Sequence, residues 1–197
     1  MSIDPRAEPT GPDRTVAAQA VLPGTTSLTP SAPLVGLLHD GDMSELRLTA
    51  YQHADQEGFA RLVEDVHSEF GFSYDAELDA DLDDPESHYP FILVVKCGTS
   101  VVGSAALTEP RAGSTTLKRM YLRPSLRGLG CGRRLLDGLT ERAVEYGCEQ
   151  IRLDTTTRQA GARRLYERNG FTLVSRDGDT LFCSKDLRLL NAVTSER

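Results

Sequence analysis

No stretch of the 197-residue chain approaches the ~18–20 consecutive apolar residues that a membrane-crossing helix needs. The N-terminus has no basic region followed by an apolar run, so no secretory signal is read there. Cys97, Cys131, Cys148 and Cys183 are scattered and form no CxxC pair, a spacing that suits neither a zinc site nor a dense disulfide framework. Neither G-x-G-x-x-G nor G-x-x-x-x-G-K-[ST] occurs, so the dinucleotide and nucleoside-triphosphate fingerprints are missing. Positive charge is in deficit: 22 Lys and Arg stand against 29 Asp and Glu, a net charge of -7. That balance argues against broad electrostatic binding of nucleic acid. The expectation is a cytoplasmic protein with no membrane, nucleic-acid or metal partner.

What charge there is comes in blocks. Asp75, Glu77, Asp79, Asp81, Asp83, Asp84 and Glu86 follow one another with no basic residue between them. Arg111, Lys118, Arg119, Arg123, Arg127, Arg133 and Arg134 do so with no acidic one. The first block suits a cationic partner and the second an anionic one, unless both are merely solvated surface.

Residues 1–44 are rich in Pro, Gly, Thr, Ser and Ala and are read as a disordered tail, or as sequence upstream of a true start at Met43. Domain patterning runs from 45 to 190, and 191–197 is read as a C-terminal tail. Leu46, Leu48 and Ala50 alternate as a first strand. Phe59, Leu62, Val63, Val66 and Phe70 recur at helical spacing behind Asp55, a cap. The acidic segment is expected to be partly helical and to end at Pro85. Phe91–Lys96 and Val101–Leu107 read as a hairpin, and Thr115–Leu122 as the next strand. A helix from about Gly128 to Tyr146 follows, with Leu135, Leu136, Leu139, Ala143 and Tyr146 as its buried stripe. Then come a strand at Ile151–Asp154, a helix at Ala160–Arg168, and strands at Phe171–Val174 and Thr180–Cys183 around Asp177-Gly178. This order predicts a mixed α/β domain on one central sheet.

The most informative segment runs from Met120 to Gly132. Pro124 ends a strand, and Gly128, Gly130 and Gly132 precede a leucine-rich helix. Glycines let backbone N–H groups approach a ligand closely, and a helix N-terminus adds oriented donors and partial positive charge. With Arg127, Arg133 and Arg134 alongside, a pyrophosphate would satisfy the arrangement. The competing reading is a strand-to-helix turn that is glycine-rich for packing alone.

Four motifs in register favour the ligand. Leu117-Lys-Arg-Met-Tyr-Leu-Arg-Pro124, Arg127-Gly-Leu-Gly-Cys-Gly132, Ile151-Arg-Leu-Asp-Thr155 and Ala162-Arg-Arg-Leu-Tyr-Glu-Arg-Asn-Gly-Phe171 together resemble the GNAT superfamily of N-acetyltransferases. The likeness covers roughly 45–190 and is strongest from Leu117 to Phe171. It implies a mixed sheet of six to seven strands flanked by helices, with a splayed strand pair that admits acetyl-CoA. The implied cofactor contacts are Met120, Tyr121, Leu122, Arg127, Gly128, Leu129, Gly130, Cys131, Gly132, Arg133, Gln159 and Tyr166. Gln159 stands where relatives often place an asparagine. The N–H near Met120 would polarise the thioester carbonyl. A homodimer is expected by analogy with the family.

Transfer to an amine needs a neutral nucleophile, and at a pKa of ~10.4 only about four lysine-like amines in ten thousand are neutral at pH 7. A group must therefore take a proton and another must protonate the departing thiolate. Tyr166 matches the family's general acid. Some members place a glutamate where this chain has Thr116, which is no base, so Glu109 and Asp154 are the base candidates, with Glu77, His88 and Tyr89 behind them. The block from Asp75 to Glu86, with His88 and Tyr89, is expected to border the acceptor site and favour a cationic amine, either a small molecule or a protein amine. The alternative is a non-catalytic acyl-CoA-binding sensor. Cys131 is read as packing rather than as a covalent nucleophile.

Overall fold

The computed structural model describes residues 46–73, 75 and 79–190. The expectations for 1–44, for Glu77 and for 191–197 lie outside them. Seven strands form one sheet in the order β1-β2-β3-β4-β5-β7-β6: β1 Leu46–Ala50, β2 Phe91–Cys97, β3 Ser100–Leu107, β4 Ser114–Leu122, β5 Gln150–Thr156, β6 Thr172–Asp177 and β7 Thr180–Asp186. The helices are α1 Gln56–Glu69, α2 Pro85–His88, α3 Cys131–Glu145 and α4 Ala160–Arg168. Neighbours are antiparallel except β4 and β5, which run parallel.

Both faces of the first half of the sheet are covered, which is why β2 reads as an unbroken apolar run. Its side chains alternate by the strand period: Phe91, Leu93 and Val95 join the cluster beneath α3, whereas Ile92 and Val94 join the cluster beneath α1. α1 contributes Phe59, Leu62, Val63 and Val66, and α3 contributes Leu135, Leu136, Leu139 and Ala143, with Tyr146 only partly buried at its end. α4 lies beside the start of α3, close enough that a Cβ on Gly132 would sit 2.9 Å from a Leu165 methyl. A side chain at Gly132 would therefore force Leu165 to shift.

Three local expectations are corrected. Pro85 opens α2 as its first residue rather than ending a helix, because its fixed φ and missing N–H suit that position. The helix expected from Gly128 begins at Cys131, since Gly128 (φ +79°) and Gly130 (φ +84°) are left-handed. Asp55 sits at the start of α1 but makes no side-chain cap bond to it. Its buried carboxylate instead accepts from the Gln52 N–H at 3.1 Å and from Lys96 Nζ at 2.5 Å.

Candidate active site

β4 and β5 pair only at their beginnings, through Ser114–Gln150, Thr115–Ile151 and Thr116–Arg152. Beyond Thr116 they diverge, while β4 remains joined to β3 as far as Leu122. The cause lies in β4. Its register against β3 jumps between the pairs Lys118–Ala106 and Tyr121–Ser104, a bulge that places Arg119 and Met120 opposite Ala105. Arg119 takes φ +52° there, and the buried Ser104 hydroxyl donates to its carbonyl at 2.8 Å. A trans peptide directs C=O and N–H oppositely, so holding the Arg119 carbonyl toward β3 turns the Met120 N–H into the splay. Nothing in the linear sequence marks Ser104 for this.

Strain at Arg119 is held by its side chain. The guanidinium donates from Nε to Asp81 Oδ2 at 2.7 Å and from Nη1 to Asp79 Oδ1 at 2.8 Å, with a third bond from Nη2 to Asp81 Oδ1. Tyr89 donates to the same Asp81 Oδ2 at 2.7 Å. All of these groups are nearly or fully buried. The acidic block therefore meets the basic block here: two of its carboxylates are interior partners of one arginine. Burial pushes the Asp79 carboxyl upward, but the Asp75 N–H and Arg119 outweigh it and leave it below its usual value. A carboxylate so depressed contributes stability above its unfolded pKa and loses it as pH falls through the folded value. Arg119→Met is expected to cost about 3–5 kcal/mol by leaving two buried carboxylates uncompensated. Urea unfolding at pH 7 measures this; an unchanged midpoint would show that the clamp carries no stability.

A cleft of about 630 Å³ opens along the free edge of β4. Of the residues singled out in the sequence, Met120, Tyr121, Gln159, Tyr166, Asp154, Asp79, Asp75 and Tyr89 line it. Tyr166 is 6% exposed, edge-on to Phe171 at 5.7 Å, and burial raises its phenol well above the ordinary value. It is thus a protonated donor at neutral pH. Gln159 turns back on its own loop, accepting from the Thr155 hydroxyl at 2.9 Å and the Thr156 N–H at 3.3 Å.

Other expectations are not brought together. Glu109 is exposed in the turn after β3, near Tyr146, and does not line the cleft. His88 is exposed, bonded to Ser87 and the Asp84 carbonyl. Asp154 does line the cleft, but it is bound to Lys118 Nζ at 2.6 Å across the diverging strands. His67, which no pattern in α1 singles out, stands on the cleft wall with Nε2 2.8 Å from the Tyr121 hydroxyl.

At the far end of the splay, Gly128 and Gly130 turn the chain into α3. Cβ atoms there would meet nothing within 4 Å, so the glycines serve backbone conformation and leave open space above the loop. The first N–H groups of α3 have no carbonyl one turn back, and Arg134 makes the first such bond, to Gly130 at 3.1 Å. Two expected details change. The Arg127 N–H is already bonded to the Pro124 carbonyl at 3.1 Å. The Arg127 guanidinium is committed to Glu69, at 2.7 Å for Nη2, and to the Leu122 carbonyl at 3.0 and 3.1 Å, bracing the loop against α1. Cys131 is buried in the core, its thiol raised by burial.

Comparison with known proteins accords with this geometry. Residues 48–171 match the acetyltransferase (GNAT) family. The chain is 33% identical over 119 residues to the IAA acetyltransferase of Azospirillum brasilense, covering 59% of this chain and 78% of that protein. It superposes on a GNAT-family acetyltransferase from Staphylococcus aureus Mu50 with a TM-score of 0.67 at 22% identity, over 72% of this chain and 99% of that one. For the PaiA N-acetyltransferase of Thermoplasma acidophilum, solved in complex with coenzyme A, the TM-score is 0.58 at 16% identity, over 72% and 98% of the two chains. The chain belongs to the acetyltransferase (GNAT) family and is an acyltransferase.

Proposed function

We propose that this protein transfers the acetyl group of acetyl-CoA directly to a primary amine, preferring an acceptor with a second positive charge. The observation that supports the transfer is the convergence, in one cleft, of an unpaired β4 edge, the Met120 N–H and the buried Tyr166 phenol. Acetyl-CoA supplies the activated acyl group. The N–H groups from Gly128 to Arg133 would hold its pyrophosphate, and the free edge at Met120 and Leu122 would take the pantetheine arm. The Met120 N–H faces the oxygen on which charge develops. Tyr166 O–H delivers its proton to the departing sulfur.

The acceptor preference rests on the cleft's charge. Among the described residues its lining holds Asp75, Asp79 and Asp154 against Lys118 and Arg119, and Arg119 is shared with Asp81. Putrescine and pentylamine are matched in length and differ by one ammonium for a methyl. The kcat/KM for putrescine is expected to be about tenfold higher or more, equivalent to ~1.4 kcal/mol of differential binding. Equal values would remove the cationic preference, and turnover of neither, nor of a broad amine panel, would favour the non-catalytic acyl-CoA-binding reading.

A further inference from the structure

The reaction needs a proton acceptor, and the carboxylates expected to serve are either outside the cleft, as Glu109 is, or bound to lysine, as Asp154 is. We propose that Tyr121 and His67 form the relay that takes the proton from the attacking amine, with Tyr121 touching the amine and His67 acting through it. The inference rests on the acetyl-transfer reading above.

The hydrogen-bond chemistry gives the direction. Tyr121 and Tyr166 both line the cleft. In the His67 ring, Nδ1 faces Asp79 Oδ2 at 4.0 Å, and a carboxylate only accepts. The neutral tautomer with its proton on Nδ1 toward Asp79 leaves Nε2 as the acceptor of the Tyr121 hydroxyl hydrogen, 2.8 Å away. Among the described residues, the charged and titratable groups facing the ring are Asp79 and Asp81 from the segment after α1, and Arg119 and Tyr121 from β4. Burial and Arg119 depress the imidazole, against the pull of Asp79 and Asp81, so it is unprotonated and ready at neutral pH.

In the step, the amine nitrogen bonds to the thioester carbon and its N–H bond breaks. That proton passes to the Tyr121 oxygen as the Tyr121 proton passes to His67 Nε2. The C–S bond then breaks and Tyr166 protonates the sulfur. His67 ends as an imidazolium opposite Asp79, and its proton, returned through water, restores the Tyr166 phenol. One proton thus leaves nitrogen and one reaches sulfur, and the proton released to solvent is the one the ammonium gives up before attack.

Two measurements test the relay. In the first, nitrogen-detected NMR of the wild-type imidazole is expected to show a proton on Nδ1, ionisation below the usual histidine value of ~6.5, and an Nε2 shift that moves in Tyr121→Phe. A proton on Nε2 would overturn the relay whatever the activity and whether or not the variant folds. The second follows kcat/KM against pH with acetyl-CoA and putrescine. The wild type is expected to lose rate as pH falls through the His67 ionisation. His67→Gln and Tyr121→Phe should each lower kcat about a hundredfold or more and abolish that limb, and the double variant should lose no more than either. Full kcat in a single variant, a surviving limb, or losses that multiply would overturn it. Should the wild type turn over no amine, the transfer reading itself fails and the relay falls with it, even with the tautomer as expected.

Discussion

Gly130→Asp is expected to abolish measurable binding of acetyl-CoA by isothermal titration while leaving the fold intact. The position has φ +84°, and a Cβ placed there would have no neighbour within 4 Å. Aspartate is among the few residues that tolerate a left-handed backbone. What it adds is a carboxylate at the mouth of α3, where the pyrophosphate is proposed to sit. Two like charges ~4 Å apart at an effective dielectric of ~20 repel by about 4 kcal/mol, or about three orders of magnitude in affinity. Gly130→Ala has the strain without the charge and separates the two effects. Retained binding in the aspartate variant would place the pyrophosphate elsewhere.

Tyr166→Phe is expected to lower kcat by about a hundredfold to ten-thousandfold, the usual range for losing a positioned acid, with acetyl-CoA affinity nearly unchanged. The ring's packing against Phe171 and the core survives the substitution, so stability should change little. The test is steady-state kinetics with putrescine beside titration with acetyl-CoA. An unchanged kcat would mean that the buried phenol is only core, and that sulfur leaves without its help.

Much of this architecture is legible residue by residue. The alternation in β2, the leucine stripe of α3 and the Asp177-Gly178 turn all follow from local rules, because period and turn chemistry act over a few residues. The glycine loop is legible for the same reason, since left-handed backbone before a helix leaves a mark in residue type. The catalytic surroundings are less so. Tyr166 is legible through its motif, but Glu109 and Asp154 stand out only by residue type. No short-range rule reports that one lies outside the cleft and the other is held by Lys118. His67 is an ordinary helical histidine until β4 brings Tyr121 against it across 54 positions of sequence.

Local sequence suffices for the elements, their order and the glycine turn that opens α3, since each depends on neighbours along the backbone. The closed fold settles the rest. It turns the two charge blocks into an interior clamp, with Asp79 and Asp81 on Arg119. It opens β4 from β5 by a bulge whose strain that clamp and Ser104 hold. Burial and pairing energies depend on distance in space, and the partners here lie on strands and turns that only the assembled sheet brings together.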